Sequence, residues 1–258
     1  MAGYIYLSTL REFLSPRRLI IWIVAVMAVA GLGYGWLSLS RQLGTDMGYS
    51  TLMGLMGFRL LALVAAVFAT AVIAGEVEQK TIVYLLTRPI PRPVLLVSRA
   101  LAAITTIAVI GVVLVLVVSL VNFGPSGLAK GMVWRDVGVV ALGAMAYGGF
   151  FLFISMLLNR AFLFCLLFAF GWEVFVPNMP GDLYFASLHS HMRALTLHPT
   201  SAAPSPGLTG IGPSIGAGPT AIPTGVSIAV LLLVCLVSLG LSALWFQQSE
   251  YVPREDAE

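Results

Sequence analysis

The chain has 258 residues, 59% of them hydrophobic and only 10% charged, with a mean hydropathy of +0.97. A soluble domain carries roughly 25% charge, because most of its residues touch water. Fourteen Lys and Arg with eleven Asp and Glu therefore exclude a water-soluble enzyme, a disordered chain and a nucleic-acid binder, and leave an integral membrane protein.

Taken in chain order, residues 1–18 form an amphipathic opening. Between Tyr4 and Ser15, one helical face gathers Tyr6, Leu7, Leu10, Phe13 and Leu14, opposite Ser8, Thr9, Arg11 and Glu12, and Pro16, Arg17 and Arg18 close the stretch. That pattern predicts an interfacial helix. A span across a hydrocarbon core of about 30 Å needs about 20 apolar residues. Residues 19–40 are a charge-free run of 22, longer than the 7–15 apolar residues typical of a signal peptide, and predict the first span. Residues 51–74 predict the second, with Arg59 about two turns inside it. Residues 100–121 and 137–158 predict the third and fourth, 161–176 a short fifth carrying Glu173 near its far end, and 225–246 the sixth. Cys165 and Cys235 fall within spans and read as small core residues.

Arg59 and Glu173 are the intramembrane ionisable groups. An Arg at a bilayer centre costs about 2.5–3.5 kcal/mol on insertion scales, so each is a candidate lining residue of a polar pathway. Two other readings stay open: the residues pair across the bundle, or both snorkel to the outer interface.

Charge sets the orientation. With the N-terminus inside, the cytoplasmic segments hold nine cations (Arg11, Arg17, Arg18, Lys80, Arg88, Arg92, Arg99, Arg160, Arg254), and the outer segments hold four (Arg41, Lys130, Arg135, Arg193). This asymmetry predicts both termini in the cytoplasm. Small residues at Gly31 and Gly35, at Ala62 and Ala66, and at Gly143, Gly148 and Gly149 permit close helix approach, within one chain or at a dimer seam.

Two connecting segments stand out. Residues 75–99 lie between the second and third spans. Glu76, Glu78, Gln79 and Lys80 precede the apolar Ile82, Val83, Leu85 and Leu86, and Thr87-Arg88-Pro89 ends the run. Pro91 and Pro93 predict an extended continuation. Acids in the first turn and Arg88 after the last suit a helix dipole. On residues alone, the segment is a docking element or an ordered loop. The second segment, the outer loop 177–224, predicts a helix over Leu183–Leu197 with Phe185, Leu188, Met192 and Leu195 on one face, and then a stretch, 199–225, with six Pro and six Gly. His189, His191 and His198, with Met179 and Met192, carry groups suited to copper. The two histidines of His189-Ser190-His191 diverge on a helix, however, and no Cys or acid joins them, so the reading adopted is interfacial polar residues, with metal binding as the weaker alternative.

The run Glu76-Val77-Glu78-Gln79-Lys80-Thr81-Ile82-Val83-Tyr84-Leu85-Leu86-Thr87-Arg88-Pro89-Ile90-Pro91-Arg92 resembles the cytoplasmic segment that links the second and third spans in permease subunits of type-2 ABC exporters. Lys80, where many members have Gly, looks more like the branch associated with multicopper-enzyme maturation, while Pro91 departs from the usual Ser or Thr. The resemblance implies an all-α membrane protein of six transmembrane helices with an N-terminal amphipathic helix and a cytoplasmic coupling helix. It implies that Glu76, Glu78, Lys80, Thr81, Leu85, Leu86, Arg88, Pro89 and Arg92 contact a separate ABC ATPase, present in two copies, which binds ATP and Mg. It also implies a second permease copy or a related permease, and residence in a bacterial or archaeal cytoplasmic membrane. No G-x-x-x-x-G-K-[ST] phosphate loop occurs in the chain, so the motor is expected on another polypeptide, with no cofactor, metal or catalytic set in this one.

The expected function is therefore an exporter permease. The alternative is a non-transporting scaffold in which ATPase movement aids maturation of an extracytoplasmic protein. An intramembrane enzyme is disfavoured because the spans lack paired acids or a Ser/His set. A secondary carrier is disfavoured because no repeated half with matching broken helices is visible.

Overall fold

The computed structural model describes residues 2–39, 45–78, 92–158, 160–178, 182–196, 198 and 222–248, and among them every element is helical. The order is α1 (Ala2–Phe13), α2 (Pro16–Leu39), α3 (Thr45–Leu52), a π-helical turn (Met53–Gly57), α4 (Phe58–Glu78), α5 (Arg92–Phe123), a 3₁₀ link (Gly124–Ala129) and α6 (Gly131–Leu157). A broken climb follows through α7 (Ala161–Leu167), a second π-helical turn (Phe168–Trp172), one α-turn (Glu173–Phe175) and a 3₁₀ turn (Val176–Asn178). A further 3₁₀ turn (Asp182–Ala186), α8 (Leu188–Leu195) and α9 (Thr224–Gln248) complete the chain.

Helix α4 is the centre. Leu61, Ala62, Val64, Ala65, Ala66, Phe68, Ala69 and Val72 are each at most 2% exposed, so nearly its whole circumference is packed, chiefly by α5 and α6. The small side chains let the neighbouring backbones come close, which is how apolar helices associate where lipid removes the hydrophobic drive. Gly148 of α6 receives Ile104 of α5, and Gly149 lies against the Cys235 backbone of α9, where an added Cβ would stand 3.2 Å from the carbonyl oxygen. The Ala62/Ala66 and Gly148/Gly149 sites thus pack within one chain, whereas Gly31 and Gly35 face open space.

Among the described residues three helices are long and apolar enough to cross a membrane: Pro93–Ala129, Gly131–Leu157 and Thr224–Gln248. Shorter apolar helices occupy Ile20–Gly35, Phe58–Val72 and Ala161–Phe175. These apolar helices overlap the stretches predicted as spans, but only three of those described are long enough to cross, and the second and fifth stretches are interrupted by π-helical turns, which shorten each continuous α-helix. Helix α2 buries one stripe, Trp22, Val26 and Ala30, and exposes Ile20, Ile21, Ile23, Val24 and Met27. Apolar all round, it is suited to lipid on its outer face.

Two predicted details are corrected. The helix that holds the third predicted span starts at Arg92, eight residues before residue 100, and Pro93 is helical rather than extended. A Pro in the first turn loses no hydrogen bond, since its N–H is unpaired there anyway. The N-terminal helix is rotated from its predicted face: Thr9 and Phe13 are buried, while Leu7 is 54% exposed. Phe13 meets Phe68 of α4 edge-on at 5.4 Å, Tyr6 donates to Thr105 Oγ1 of α5 at 3.2 Å, and Thr9 is tolerated inside because its hydroxyl donates to the Ile5 carbonyl.

Candidate functional site

At the end of the bundle away from α1, the distal end, α8 is tucked against α6 and α9 instead of resting above them. Met192 fills the notch left by Gly143, twelve residues into α6, where an added Cβ would stand 2.6 Å from the Met192 methyl. Leu188, His189, Ser190, His191, Met192 and Leu195 are all buried. The predicted 183–197 helix is split, a 3₁₀ turn at Asp182–Ala186 and then α8 from Leu188, and Phe185 is 40% exposed.

Charge fixes both ends of α8. A helix leaves its first N–H groups and last carbonyls unpaired and carries partial positive charge at its start and negative at its finish. Glu173, 4% exposed, accepts hydrogen bonds from the Leu188 N–H at 3.1 Å, the His189 N–H at 2.9 Å and the Ser187 hydroxyl at 2.6 Å. Ser187 is the N-cap, and its Oγ in turn accepts from the Ser190 N–H at 3.2 Å. At the other end, Arg135 Nε donates to the Leu195 carbonyl at 2.5 Å. The carboxylate that looked like a pathway residue in the sequence thus lies at the N-terminus of a helix sixteen residues downstream of it or nearer.

A second buried acid sits alongside. Asp136, fully buried, accepts from the Tyr49 hydroxyl at 2.7 Å, and its same Oδ2 is 2.8 Å from His198 Nε2. Burial, followed by the Asp136 charge, holds the Tyr49 hydroxyl well above the usual phenol range, so Tyr49 stays a neutral donor. Phe58 lies between two of the histidines, 5.9 Å from the His189 ring and 6.3 Å from that of His198. Lys130 pairs with Asp46 and lies 3.8 Å over the Phe123 ring.

The histidines are not the interfacial polar residues expected. His189 and His191 are 6% and 2% exposed, because α8 enters the bundle. Each takes a different role: His191 Nε2 meets the Phe185 carbonyl at 2.9 Å and its Nδ1 the Ser227 hydroxyl at 3.4 Å, His198 meets Asp136, and His189 faces Phe58. Among the described residues no group of three His, Cys, Asp or Glu is arranged to hold a metal ion. Met192 belongs to the Gly143 notch, and Met179 lies outside the described residues. Burial, then the charges of Arg193 and Arg59, pushes the His189 imidazole down to about 4, so it is neutral at pH 7.

Arg59 differs from both acids. It is half-buried in the first turn of α4, and among the described residues it enters no ion pair and its buried Nε has no hydrogen-bond partner. Arg59 and Glu173 do not pair. Glu173 follows directly on the π-helical turn Phe168–Trp172, and Arg59 stands two residues after Met53–Gly57; such turns recur at functional sites.

At the opposite end, α4 runs to Glu78 and α5 begins at Arg92, and Arg99 Nη1 donates to the Val72 carbonyl at 3.3 Å. Glu76, Glu78 and Arg92 are described as helix backbone only, while Lys80, Thr81, Leu85, Leu86, Arg88 and Pro89 lie outside the described residues. Sequence reading missed Tyr49, Asp136 and Ser187. The signal available for Asp136 was its place one residue before a predicted span, and for Ser187 its position as a cap before an apolar-periodic stretch.

The family model described as ABC-2 family transporter protein matches residues 19–251. Among curated proteins none matches the chain.

Proposed function

The chain belongs to the ABC-2 transporter family, and from that premise we propose that it is the permease subunit of an ABC exporter, moving its substrate outward across the cytoplasmic membrane of a bacterium or archaeon. The family implies association with an ABC ATPase and with lipid. In this reading two ATPase copies bind ATP and Mg and dock on residues 75–99, with Glu76, Glu78, Lys80, Thr81, Leu85, Leu86, Arg88, Pro89 and Arg92 as the contact set. A second permease, identical or related, completes the pathway. The chain does no chemistry of its own. Lys80 favours the branch associated with multicopper-enzyme maturation.

The single observation that carries the reading is the family match over residues 19–251. Two further features support it. The charged 76–92 run joins two helices tied together by the Arg99–Val72 bond, so movement of that link is passed directly to the central helix α4. The distal end, opposite it, holds the buried polar groups, and the cation asymmetry makes that end the outer one. Arg59 is then the pathway residue of the predicted pair, and Glu173 shapes the wall by holding α8.

Co-purification tests the proposal. A tagged chain is expected to bring down an ATP-binding subunit whose hydrolysis rises with substrate. ATPase capture without stimulation by any candidate substrate favours the scaffold role, and recovery of the chain without an ATPase contradicts both.

A further inference from the structure

The distal end contains two buried acids and a cation, Arg59, that enters no ion pair among the described residues, and their hydrogen bonds decide which charges are engaged. Glu173 is occupied by donors from Ser187, Leu188 and His189 and by the buried Tyr147 hydroxyl. Asp136 engages Tyr49 and His198 through Oδ2, and its buried Oδ1 has no hydrogen-bond partner and makes no ion pair with Arg59 among the described residues. Asp46 is taken by Lys130. No acid whose side chain is described forms an ion pair with Arg59, whose Nε is buried without a hydrogen-bond partner among the described residues. Arg193, on the exposed side of α8, stands one helical turn from His189, and His189 faces Phe58, the residue next to Arg59. An unpaired guanidinium inside a spanning helix is costly, and its planar fork of donors matches an oxyanion with two oxygens in reach.

We propose that Arg59, assisted by Arg193, is the binding point for an anionic group presented at the distal end of the bundle, a phosphate carried either by a lipid headgroup or by a free solute. Phe58 and His189, ring to ring at 5.9 Å, form an uncharged wall beside it, and the π-helical turn at Met53–Gly57 sets the angle at which α4 presents Arg59. The inference rests on the exporter reading in naming this anion as the substrate class. Binding needs no ATPase, so its failure leaves that reading standing, and failure to capture an ATPase leaves the binding result standing.

The test is native mass spectrometry of the full chain in a neutral detergent, titrated with phosphatidylglycerol, with phosphatidylcholine as the zwitterionic control and inorganic phosphate as competitor. The wild type is expected to favour phosphatidylglycerol. Arg59→Gln should weaken that binding about tenfold, the size of one charge-assisted contact, while Arg59→Lys keeps most of it. Arg193→Gln, at an exposed position, should weaken binding about two- to threefold by removing a nearby charge. Lys130→Gln should leave it unchanged, because that charge is already paired. Displacement by millimolar phosphate supports recognition of the phosphate alone, and resistance to it supports recognition of a lipid headgroup. Should Arg59→Gln lose its thermal transition, Arg59→Lys and Arg193→Gln decide. Equal binding of both lipids with no phosphate binding, wild-type affinity in the Gln variants, or an equal loss in Lys130→Gln overturns the proposal.

Discussion

Glu173→Ala removes the acceptor shared by the Ser187 hydroxyl and the Leu188 and His189 N–H groups, at 2.6, 3.1 and 2.9 Å, and by the Tyr147 hydroxyl of α6. Each donor left unsatisfied in a buried site costs about 1–3 kcal/mol, and loss of the negative charge also removes a favourable interaction with the start of α8, worth up to about 2 kcal/mol in a partly buried geometry. Water entering the space vacated by the side chain recovers part of this. A net cost of about 3 kcal/mol for the local docking of α8 follows, which is about a hundredfold in its opening constant. Glu173→Gln keeps one carbonyl acceptor and the shape but turns an amide donor toward other donors, so about a tenfold rise is expected from the loss of the charge-assisted character of the bonds. Hydrogen exchange of the full chain in nanodiscs, read over the peptide 186–196, measures this. Protection of the α8 amides should fall in the order wild type, Gln, Ala, with α5 unaffected. Unchanged α8 protection in Glu173→Ala would show that the carboxylate does not hold this helix, and would return Glu173 to the pathway.

The other predictions concern pH and packing. His189 is buried with its pKa moved from 6.5 to about 4, so at pH below 6.5 the unfolded chain takes up a proton that the folded chain refuses. Stability is full above pH 6.5 and falls as the pH drops toward 4, by about 3 kcal/mol for this group alone. Thermal melts of wild type and His189→Asn across that window should converge as the pH falls, and parallel curves refute the assignment. Gly149→Val forces side-chain atoms onto the Cys235 backbone, 3.2 Å from even an added Cβ, whereas Gly138, in the same helix, has nothing within 4 Å. The first should lower the melting temperature by an amount corresponding to about 1–3 kcal/mol of overpacking, while Gly138→Ala leaves it level or raises it through helix propensity. Equal effects at the two sites contradict the close α6–α9 approach.

Which features were legible in the sequence follows from the kind of signal each one leaves. Long apolar runs mark spans because length and hydropathy are local quantities, and Gly131–Leu157 and Thr224–Gln248 lie close to their predicted bounds. Interruptions by π-helical turns leave no comparable mark: Met53–Gly57 and Phe168–Trp172 are apolar and small-residue stretches like their neighbours. The N-terminal face was misread for a related reason. Hydrophobicity alone favoured Leu7 over Thr9, yet a Thr that bonds its own Ile5 carbonyl can be buried, and the packing against Phe68 and Thr105 chose that side. At the distal end, Arg59 and Glu173 were visible as costly charges, but their roles were not, because the partners of Glu173 come from Tyr147 and residues 187–189 and those of Asp136 from Tyr49 and His198. Tertiary pairing over such separations has no periodicity to read. The histidines illustrate the same limit: their spacing suggested a surface, while the notch at Gly143 that receives Met192 draws the whole of α8 inward.

The central claim is that a separate ATPase drives this bundle through the link between α4 and α5. The most direct measurement is quantitative co-purification and ATPase activity of the tagged chain beside a variant in which residues 79–91 are replaced by a Gly/Ser linker of equal length. The account predicts that the variant keeps the wild-type melting temperature but loses the bound ATPase and its stimulated hydrolysis. An equal yield of ATPase with the linker variant, at unchanged hydrolysis, would contradict it.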